Sequence, residues 1–528
     1  MIESESTADY YKFCAGEEHI KISNAICRGR RRSSFPKCPN CQFNPDAGTG
    51  ERVSISVDRA KPVSGVEALF DEFDICGTVP APLTQESAWR IGHAAAQYLR
   101  SKLRGYERAD PACRAIVIGR DTRPHGTELQ RGLSDGIRAT GTNVLNLGMI
   151  DTPQLYFAVN HLGACGGIQT TGGRRPIEFN GFEICGAKGV PLGQDTGMNG
   201  IREIACRVPR HETGTTAGYA ESDVTKAYRE YVLGFLRGRE PRGRALRVAV
   251  DASNGSAGRW MPIVFKNVKR LTIVPLNFKH DGRFEHVPDP LDPANLKGLR
   301  KMLKAHRASL GVCFDGDAAR CVFLDDRGLM VRPDIITALL ARAFLEREGG
   351  ASIVYDHRSS RVVAEEIQRV GGVPIRERVG AAFMKKSMAD ANAVFGGGLC
   401  GRYYFRDNFF CESGFLALVH LINILTDTGK TLSELARPLQ RFRPSGEISF
   451  RSPDREASLR KIRDRFTDAE IDELDGVTVR YPDWWFNVRK SSGDPVLRLN
   501  VEARTRKMVD RRVLEVAPLL GERFGRRI

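Results

Sequence analysis

Four cysteines near the start of the chain have side chains suited to binding a metal ion. Cys38 and Cys41 form a C-x-x-C pair in the segment KCPNC, and Cys14 and Cys27 precede them. Four thiolates can hold a tetrahedral zinc ion, and a small segment with little apolar content would need such a link to fold. Because the second pair is not at knuckle spacing, two interpretations stay open: a structural zinc site, or free thiols in a flexible arm.

The bulk composition describes a basic protein of ordinary globular type. Its 528 residues carry a net charge of +16, with 41% hydrophobic and 27% charged residues. No apolar run reaches the roughly 18 residues that a membrane span needs. The acidic N-terminus is unlike a secretory signal. Most cysteines are isolated in apolar segments, which is typical of reduced thiols. We therefore expect a cytoplasmic protein with reduced thiols and no membrane partner. The dense basic runs CRGRRRSS and FGRRI lie in no recognisable nucleic-acid module, so we expect no nucleic-acid partner.

From about residue 58 the chain alternates short apolar, strand-like runs with amphipathic, helical stretches. The run AIVIG, for example, precedes the helical stretch TELQRGLSDGIRATG. Recurring strand–helix–strand units imply parallel sheets covered by helices, and the unit begins again near residues 225 and 325. We predict a Cys/Arg-rich extension followed by three tandem α/β domains and a C-terminal α+β domain, with boundaries at 1–57, 58–215, 216–322, 323–438 and 439–528.

Six segments that could position phosphate chemistry follow one another along these domains. They are FDEFDICGTVPAPLT, GRDTR, GGIQTTGGRRPIEFNGFEICG, FDGDAAR, FGGGLCGRYYFRDNFFCESG and WWFNVRKSSGDPVLRLNVEA. In this order they resemble the motifs of the phosphohexomutases (phosphomannomutase/phosphoglucomutase). The resemblance implies four domains around a central cleft, with the last domain binding phosphate. It also implies a chemistry in which a phosphoserine donates its phosphoryl group to a hexose phosphate with Mg²⁺ bound.

The nucleophile of this family chemistry is replaced in the third segment. Gly173 stands at the position of the phosphoserine, and Arg174 stands at the position of its histidine neighbour. A hydroxyl one or two residues away, such as that of Thr171, points elsewhere on the loop, and misplacement by about 1 Å can cost a hundredfold in rate. We therefore predict that no residue of this loop acts as the catalytic nucleophile.

The metal loop is reduced in the same way. Asp315 and Asp317 remain as candidate Mg²⁺ ligands, but Ala319 takes the place of the third carboxylate. Mg²⁺ needs near-octahedral oxygen coordination and binds weakly when few of its ligands are anionic. We expect the Mg²⁺ of the family to be weakly bound or absent here, with the two aspartates acting as polar turn residues.

The sugar-binding and phosphate-binding segments differ in how many of the family's functional residues they retain. In the sugar-binding loop, the family's glutamate, serine and histidine are replaced by Gly398, Cys400 and Arg402. The last segment keeps two arginines and a hydroxyl, which can grip a phosphate by charge-assisted hydrogen bonds. The candidate phosphate-binding residues are therefore Arg489, Ser491 and Arg498, with Arg123, Arg174 and Arg402 as further anion ligands.

Three hypotheses about function remain. The first is a pseudoenzyme that binds a phosphorylated sugar or nucleotide-sugar without turnover, with an active paralogue as a further candidate partner. The second is a residual mutase with a different nucleophile, and the third is a basic interaction protein with a zinc-stapled N-terminus. Within the first, the arginines either bind a polyanion or pair with local carboxylates such as Glu178 or Asp315 and close the cleft.

Overall fold

The computed structural model describes residues 11–14, 17–23, 65–71, 74–103, 114–209, 217–237, 245–491 and 495–527. The chain divides into two units, residues 1–60 and 61–528. In the first unit, strands β1 (Tyr11–Cys14) and β2 (Glu17–Ser23) pair antiparallel. Cys27, Cys38 and Cys41 lie outside the described residues, as does the side chain of Cys14, so the zinc prediction for this segment stays a prediction.

Domain 1 of the larger unit is a six-stranded sheet in the order β3-β7-β6-β4-β5-β8. Strand β4 (Ala115–Arg120) runs parallel to both its neighbours, whereas β7 pairs antiparallel with β6 and with β3. The apolar residues of β4 are continuous rather than alternating, as expected for a strand covered on both faces. Its elements are β3 (Ile75–Thr78), α1 (Gln85–Lys102), β4, α2 (Gly126–Arg138), β5 (Asn143–Met149), α3 (Thr152–His161), β6 (Gly166–Thr170), β7 (Phe179–Gly186), α4 (Asn199–Arg207) and β8 (Tyr219–Glu221).

Domain 2 repeats this arrangement with a five-stranded sheet in the order β10-β9-β11-β12-β13. The first three strands in this order are parallel, and the last two are antiparallel. Its sheet extends to Val331, past the boundary predicted at residue 322, because β12 turns back and pairs with β13. Its elements are α5 (Thr225–Gly234), β9 (Leu246–Asp251), α6 (Ser256–Val264), β10 (Leu271–Leu276), α7 (Lys297–Ala305), β11 (Leu310–Phe314), β12 (Cys321–Leu324) and β13 (Met330–Val331).

Domain 3 has the same strand order again, β15-β14-β16-β17-β18. Its longest helix, α11, is apolar on nearly every face and is buried from Gly414 to Asn423, as expected for a helix enclosed by other elements. Its elements are α8 (Pro333–Leu345), β14 (Ser352–Asp356), α9 (Arg361–Arg369), β15 (Val373–Glu377), α10 (Ala381–Asp390), β16 (Phe395–Gly397), β17 (Tyr403–Phe405), β18 (Cys411–Glu412), α11 (Gly414–Thr428) and α12 (Leu432–Ala436).

Domain 4 is an antiparallel sheet in the order β21-β22-β23-β24-β20-β25, with β19 also pairing with β24. Two α-helices accompany it in the described residues, and a strand follows the second of them. Its elements are β19 (Arg443–Pro444), β20 (Glu447–Arg451), α13 (Arg455–Arg465), β21 (Glu470–Asp472), β22 (Val477–Arg480), β23 (Trp484–Lys490), β24 (Val496–Ala503), α14 (Arg506–Val516) and β25 (Glu522–Arg527).

The apolar core joins the first three domains and is separate in the fourth. One cluster of buried side chains continues through domains 1, 2 and 3 and includes Tyr156, Trp260 and Phe415. Domain 4 has its own core around Phe450 and Phe486. The predicted architecture of three repeated α/β domains and a C-terminal α+β domain is therefore confirmed. No helix within the described ranges is both long and apolar enough to cross a bilayer.

Candidate functional site

The loop that follows β6 faces the loop between β11 and β12. Gly173 has a left-handed backbone with φ of +50°. A Cβ atom placed on Gly173 would lie 3.5 Å from Nη1 of Arg320 and 4.0 Å from Oδ2 of Asp317. The position that the motif assigns to the nucleophile is thus directed at the metal loop, and it offers no side chain to either residue.

Arg123 stabilises the loop that follows β6. Its guanidinium is buried and pairs with Asp121, 3.2 Å from Nε to Oδ2. The remaining donors are directed at backbone carbonyls of the loop, at 2.6 to 3.1 Å: those of Gly173, Arg175, Pro176 and Phe179. Because these contacts use all its N–H donors, Arg123 stabilises the loop and has no donor left for a bound ligand anion.

The hydroxyl group nearest to Gly173 belongs to Thr171. It lies 2.9 Å from Oδ2 of Asp121 and 3.1 Å from Oδ2 of Asp317, and it accepts a 2.9 Å hydrogen bond from the N–H of Gly173. Burial raises the pKa of Asp121, although Arg123 opposes this. The Thr171 side chain is therefore fixed between two carboxylates.

The two aspartates of the metal loop are both engaged within the protein. Oδ2 of Asp315 lies 3.0 Å from Nη1 of Arg320. Oδ2 of Asp317 accepts hydrogen bonds from Thr152 at 2.7 Å and from Thr171, and its Oδ1 accepts one from the N–H of Ala319. Ala319 is fully buried and offers no ligand atom. Two carboxylates that already have partners do not fit the six oxygen ligands of Mg²⁺.

A further buried acid, which the motifs did not include, lies near the metal loop. Asp151 follows β5 and accepts hydrogen bonds from the N–H of Gln154 and the hydroxyl of Tyr228. Burial raises its pKa to about 7, and burial together with the charge of Asp317 raises the pKa of Asp315 to about 8. The signal for Asp151 was present in the sequence, since it directly follows an apolar strand of a parallel sheet, where such sheets place their site residues.

Arg402 of the sugar-binding loop is buried in an ionic cluster between domains 1 and 3. Its Nη1 lies 2.9 Å from Oε1 of Glu412, and its Nη2 lies 3.9 Å from Oε2 of Glu183. Nζ of Lys385 lies 2.8 Å from the other oxygen of Glu412 and donates to the hydroxyl of Tyr156. Against the effect of burial, Lys385 and Arg402 hold the pKa of Glu412 well below its usual range.

Arg174 has a different partner. Its Nη1 lies 3.1 Å from Oδ2 of Asp289 in domain 2, and about a third of its side chain is exposed. The carboxylates that engage Arg174 and Arg402 are thus Asp289, Glu412 and Glu183, rather than the expected Glu178 or Asp315.

The predicted phosphate clamp is assembled across three strands of domain 4. Arg489 and Arg498 lie directly opposite each other on β23 and β24, and Ser449 of β20 lies opposite Arg498. Glu447 lies between the arginines, 2.9 Å from Nη2 of Arg489 and 3.9 Å from Nε of Arg498. Ser491, at the end of β23, is held by a backbone hydrogen bond to Val496.

A third arginine, which the motifs did not include, joins the clamp from domain 3. Nη1 of Arg358 lies 3.4 Å from Oε2 of Glu447, and Arg358 also pairs with Asp356. Burial opposes ionisation of Glu447, but Arg358 and Arg489 lower its pKa to about 2. Three guanidinium groups thus lie close to Glu447, and Nε of Arg489 is buried without a hydrogen-bond partner among the described atoms.

The sugar-binding loop lies next to Asp356, the partner of Arg358. A Cβ atom placed on Gly398 would lie 3.7 Å from Oδ2 of Asp356 and 3.4 Å from Sγ of Cys400. The N–H of Leu399 donates to Asp356 at 3.3 Å. A glutamate at position 398 would therefore face the carboxylate of Asp356.

Models of four consecutive domains of one family match this chain. They are the α/β/α domains I, II and III and the C-terminal domain of phosphoglucomutase/phosphomannomutase, and they match residues 67–209, 226–328, 332–442 and 447–519. The chain therefore belongs to the phosphoglucomutase/phosphomannomutase family, as the six motifs predicted.

Individual relatives agree with this assignment along nearly their whole length. The chain is 32% identical over 457 residues to a protein of Xanthomonas campestris pv. campestris described as phosphohexose mutases, covering 85% of this chain and 98% of that protein. It is 31% identical to a phosphomannomutase of Salmonella montevideo, with coverage of 86% and 98%. A crystal structure of a family protein from Burkholderia thailandensis matches with a TM-score of 0.77 at 29% identity, covering 87% of this chain and 99% of that one.

Proposed function

We propose that this protein is a non-catalytic member of the family, which binds a phosphorylated sugar or a related phosphorylated anion without turning it over. The observation that carries the proposal is the glycine at position 173. The loop there is directed at Asp317 and Arg320, yet glycine has no side-chain atom that could accept a phosphoryl group. Phosphoryl transfer in this family requires an oxygen nucleophile at that point, and positioning supplies much of its rate.

The metal loop supports the same proposal. Asp315 pairs with the guanidinium of Arg320, and Asp317 accepts hydrogen bonds from two threonine hydroxyls. A transfer that needs Mg²⁺ to neutralise charge would first have to displace these contacts.

Ligand binding is supported by the clamp of domain 4. Arg358, Arg489 and Arg498 converge from two domains on one carboxylate, that of Glu447. Guanidinium groups match the oxygens of phosphate in geometry and are always charged. A sugar bisphosphate or a nucleotide-sugar is the class of ligand that these arginines would accept.

The test separates turnover from binding. Incubation with radiolabelled glucose 1,6-bisphosphate and Mg²⁺ should leave no covalent label on the protein, and mannose and glucose 1- and 6-phosphates should not interconvert. In a thermal-shift experiment with EDTA present, glucose 1,6-bisphosphate should raise the melting temperature. Covalent label would exclude the non-catalytic function, and indifference to every phosphate tested would exclude the binding function.

The alternative hypothesis, a residual mutase with another nucleophile, depends on Thr171. Its hydroxyl lies between two buried carboxylates and also accepts a hydrogen bond, so it has no free direction towards a substrate. If wild-type protein does take up label, a Thr171→Val variant decides whether this hydroxyl carries it. An active paralogue as partner stays a prediction.

A further inference from the structure

Three side chains that the family motifs do not include come together in domain 2. Asp251 ends β9, and Cys313 lies beside it in register on the neighbouring strand β11. His286 approaches them from the segment between β10 and α7. One carboxylate oxygen, one ring nitrogen and Sγ of the cysteine lie within 4.8 Å of one another. The side chain of Asp251 is fully buried, and 16% of the His286 side chain is exposed.

Hydrogen bonds orient His286 and Asp251 towards each other. Nδ1 of His286 lies 2.8 Å from the carbonyl oxygen of Val287, so this nitrogen carries a proton and donates. Nε2 then faces Oδ2 of Asp251 at 3.2 Å. Oδ1 of Asp251 accepts hydrogen bonds from the N–H of Ser253 and the amide of Asn277, both at 2.9 Å. Histidine and carboxylate metal ligands are commonly fixed in this way, through the atom that does not bind the metal.

We propose that Asp251, His286 and Cys313 bind one zinc ion. Nitrogen, sulfur and oxygen ligands on a tetrahedral zinc lie roughly 3.3–3.6 Å apart, so the donors need to close by about 1 Å at most. A carboxylate and a thiolate together neutralise the charge of Zn²⁺, which suits a buried position. Thiolate and imidazole ligands favour zinc over Mg²⁺, which prefers oxygen.

Zinc binding releases two protons. The metal takes the Nε2 lone pair of His286 and the thiolate of Cys313, and the protons from Nε2 and from the thiol pass to solvent. Water completes the tetrahedron on the exposed side of His286. Through His286, the ion would link the 277–296 segment to Asp251 of β9 and Cys313 of β11. Cys313 lies two residues before Asp315, so the same ion would also fix the start of the 315–320 loop.

Metal counting tests the proposal on the full chain without a tag. A background variant, Cys27→Ser/Cys38→Ser/Cys41→Ser, removes N-terminal thiolates that could bind zinc separately. After EDTA treatment, zinc loading and desalting, this background should hold one zinc per chain. Adding Cys313→Ala should remove that zinc, whereas adding Cys321→Ala, an equally buried cysteine on β12, should not.

Cobalt provides a second measurement in case Cys313→Ala perturbs the fold. Co²⁺ bound to the background variant should show a thiolate-to-cobalt absorption band in the near ultraviolet. The band should vanish with Cys313→Ala, and His286→Ala, a change at a partly exposed position, should weaken cobalt affinity at least tenfold. A background variant without zinc, or equal zinc content with and without Cys313, would overturn the proposal.

Discussion

Nη1 of Arg320 lies 3.0 Å from Oδ2 of Asp315, and the N–H of Arg320 donates to the other oxygen of the same carboxylate. The positive charge beside Asp315 therefore comes from Arg320 of the same loop. The same Nη1 would lie 3.5 Å from a Cβ atom at Gly173. A serine restored at position 173 would therefore meet a guanidinium group before it met a metal ion.

Gly173→Ser alone should not create a mutase. The backbone there is left-handed, so any non-glycine residue costs about 1–2 kcal/mol of stability, and the metal ligands remain incomplete. We expect no covalent label from radiolabelled glucose 1,6-bisphosphate and a melting temperature lowered by a few degrees, with Gly173→Ala showing the same loss of stability. A phosphoserine in the single variant would show that the rest of the site is competent.

Arg123→Ala should destabilise domain 1 strongly. The change leaves Asp121 buried without its ionic partner and four loop carbonyls without donors. Breaking a buried pair in this way costs about 3 kcal/mol or more. Urea unfolding should show this loss, and the exposed neighbour Arg175→Ala should change stability by less than about 1 kcal/mol. Equal effects of the two substitutions would contradict a supporting role for Arg123.

The pH dependence of stability should contain a contribution from Asp151. Burial raises its pKa from 3.8 to about 7 in the folded protein, so the folded state holds the proton more tightly than the unfolded chain. Its contribution to stability is therefore present below about pH 4 and is lost as the pH rises towards 7. The slope is at most about 1.4 kcal/mol per pH unit.

Asp151→Asn should flatten this slope. Asparagine can still cap α3, because its side-chain oxygen can accept from the N–H of Gln154. Urea midpoints measured from pH 4 to pH 8 should fall less steeply in the variant than in wild type. The exposed Asp510→Asn serves as the control, and parallel curves for Asp151→Asn and wild type would count against the raised pKa.

Glu447→Gln should tighten the binding of phosphorylated ligands. The substitution removes the carboxylate that Arg358 and Arg489 contact, and it leaves their positive charges for an external anion. We expect about a tenfold lower Kd for glucose 1,6-bisphosphate by calorimetry with EDTA present, together with a lower melting temperature without ligand. Glu456→Gln, which removes an exposed partner of Lys490 in the same domain, should leave the Kd unchanged. Weaker binding by Glu447→Gln would exclude the clamp as the anion site.

The sequence predicted the architecture because the relevant signals are local. Apolar strands such as β4 and β11 and the helices between them repeat along the chain. The last of the six segments contains both Arg489 and Arg498, and the structure brings them together on neighbouring strands. Pairing of the arginines with carboxylates was one alternative from the sequence, but the partners could not be identified in this way.

Those pairs depend on contacts between distant parts of the chain. Arg174 meets Asp289, which is 115 residues away, and Arg358 meets Glu447 from another domain. Arg123 shows the converse problem. Its motif matched, but a motif does not reveal whether a guanidinium faces a ligand or the backbone of its own loop.

Glu447 gives the clamp a competitor that cannot diffuse away. A group held on the same scaffold acts at an effective concentration of millimolar or above, so a free monophosphate at micromolar levels would seldom displace it. A ligand with a second anionic group that is held elsewhere on the protein would exchange with the carboxylate more readily. The protein would then respond to bisphosphates in the presence of a large excess of monophosphates, and the threshold of that response would be set by a single side chain.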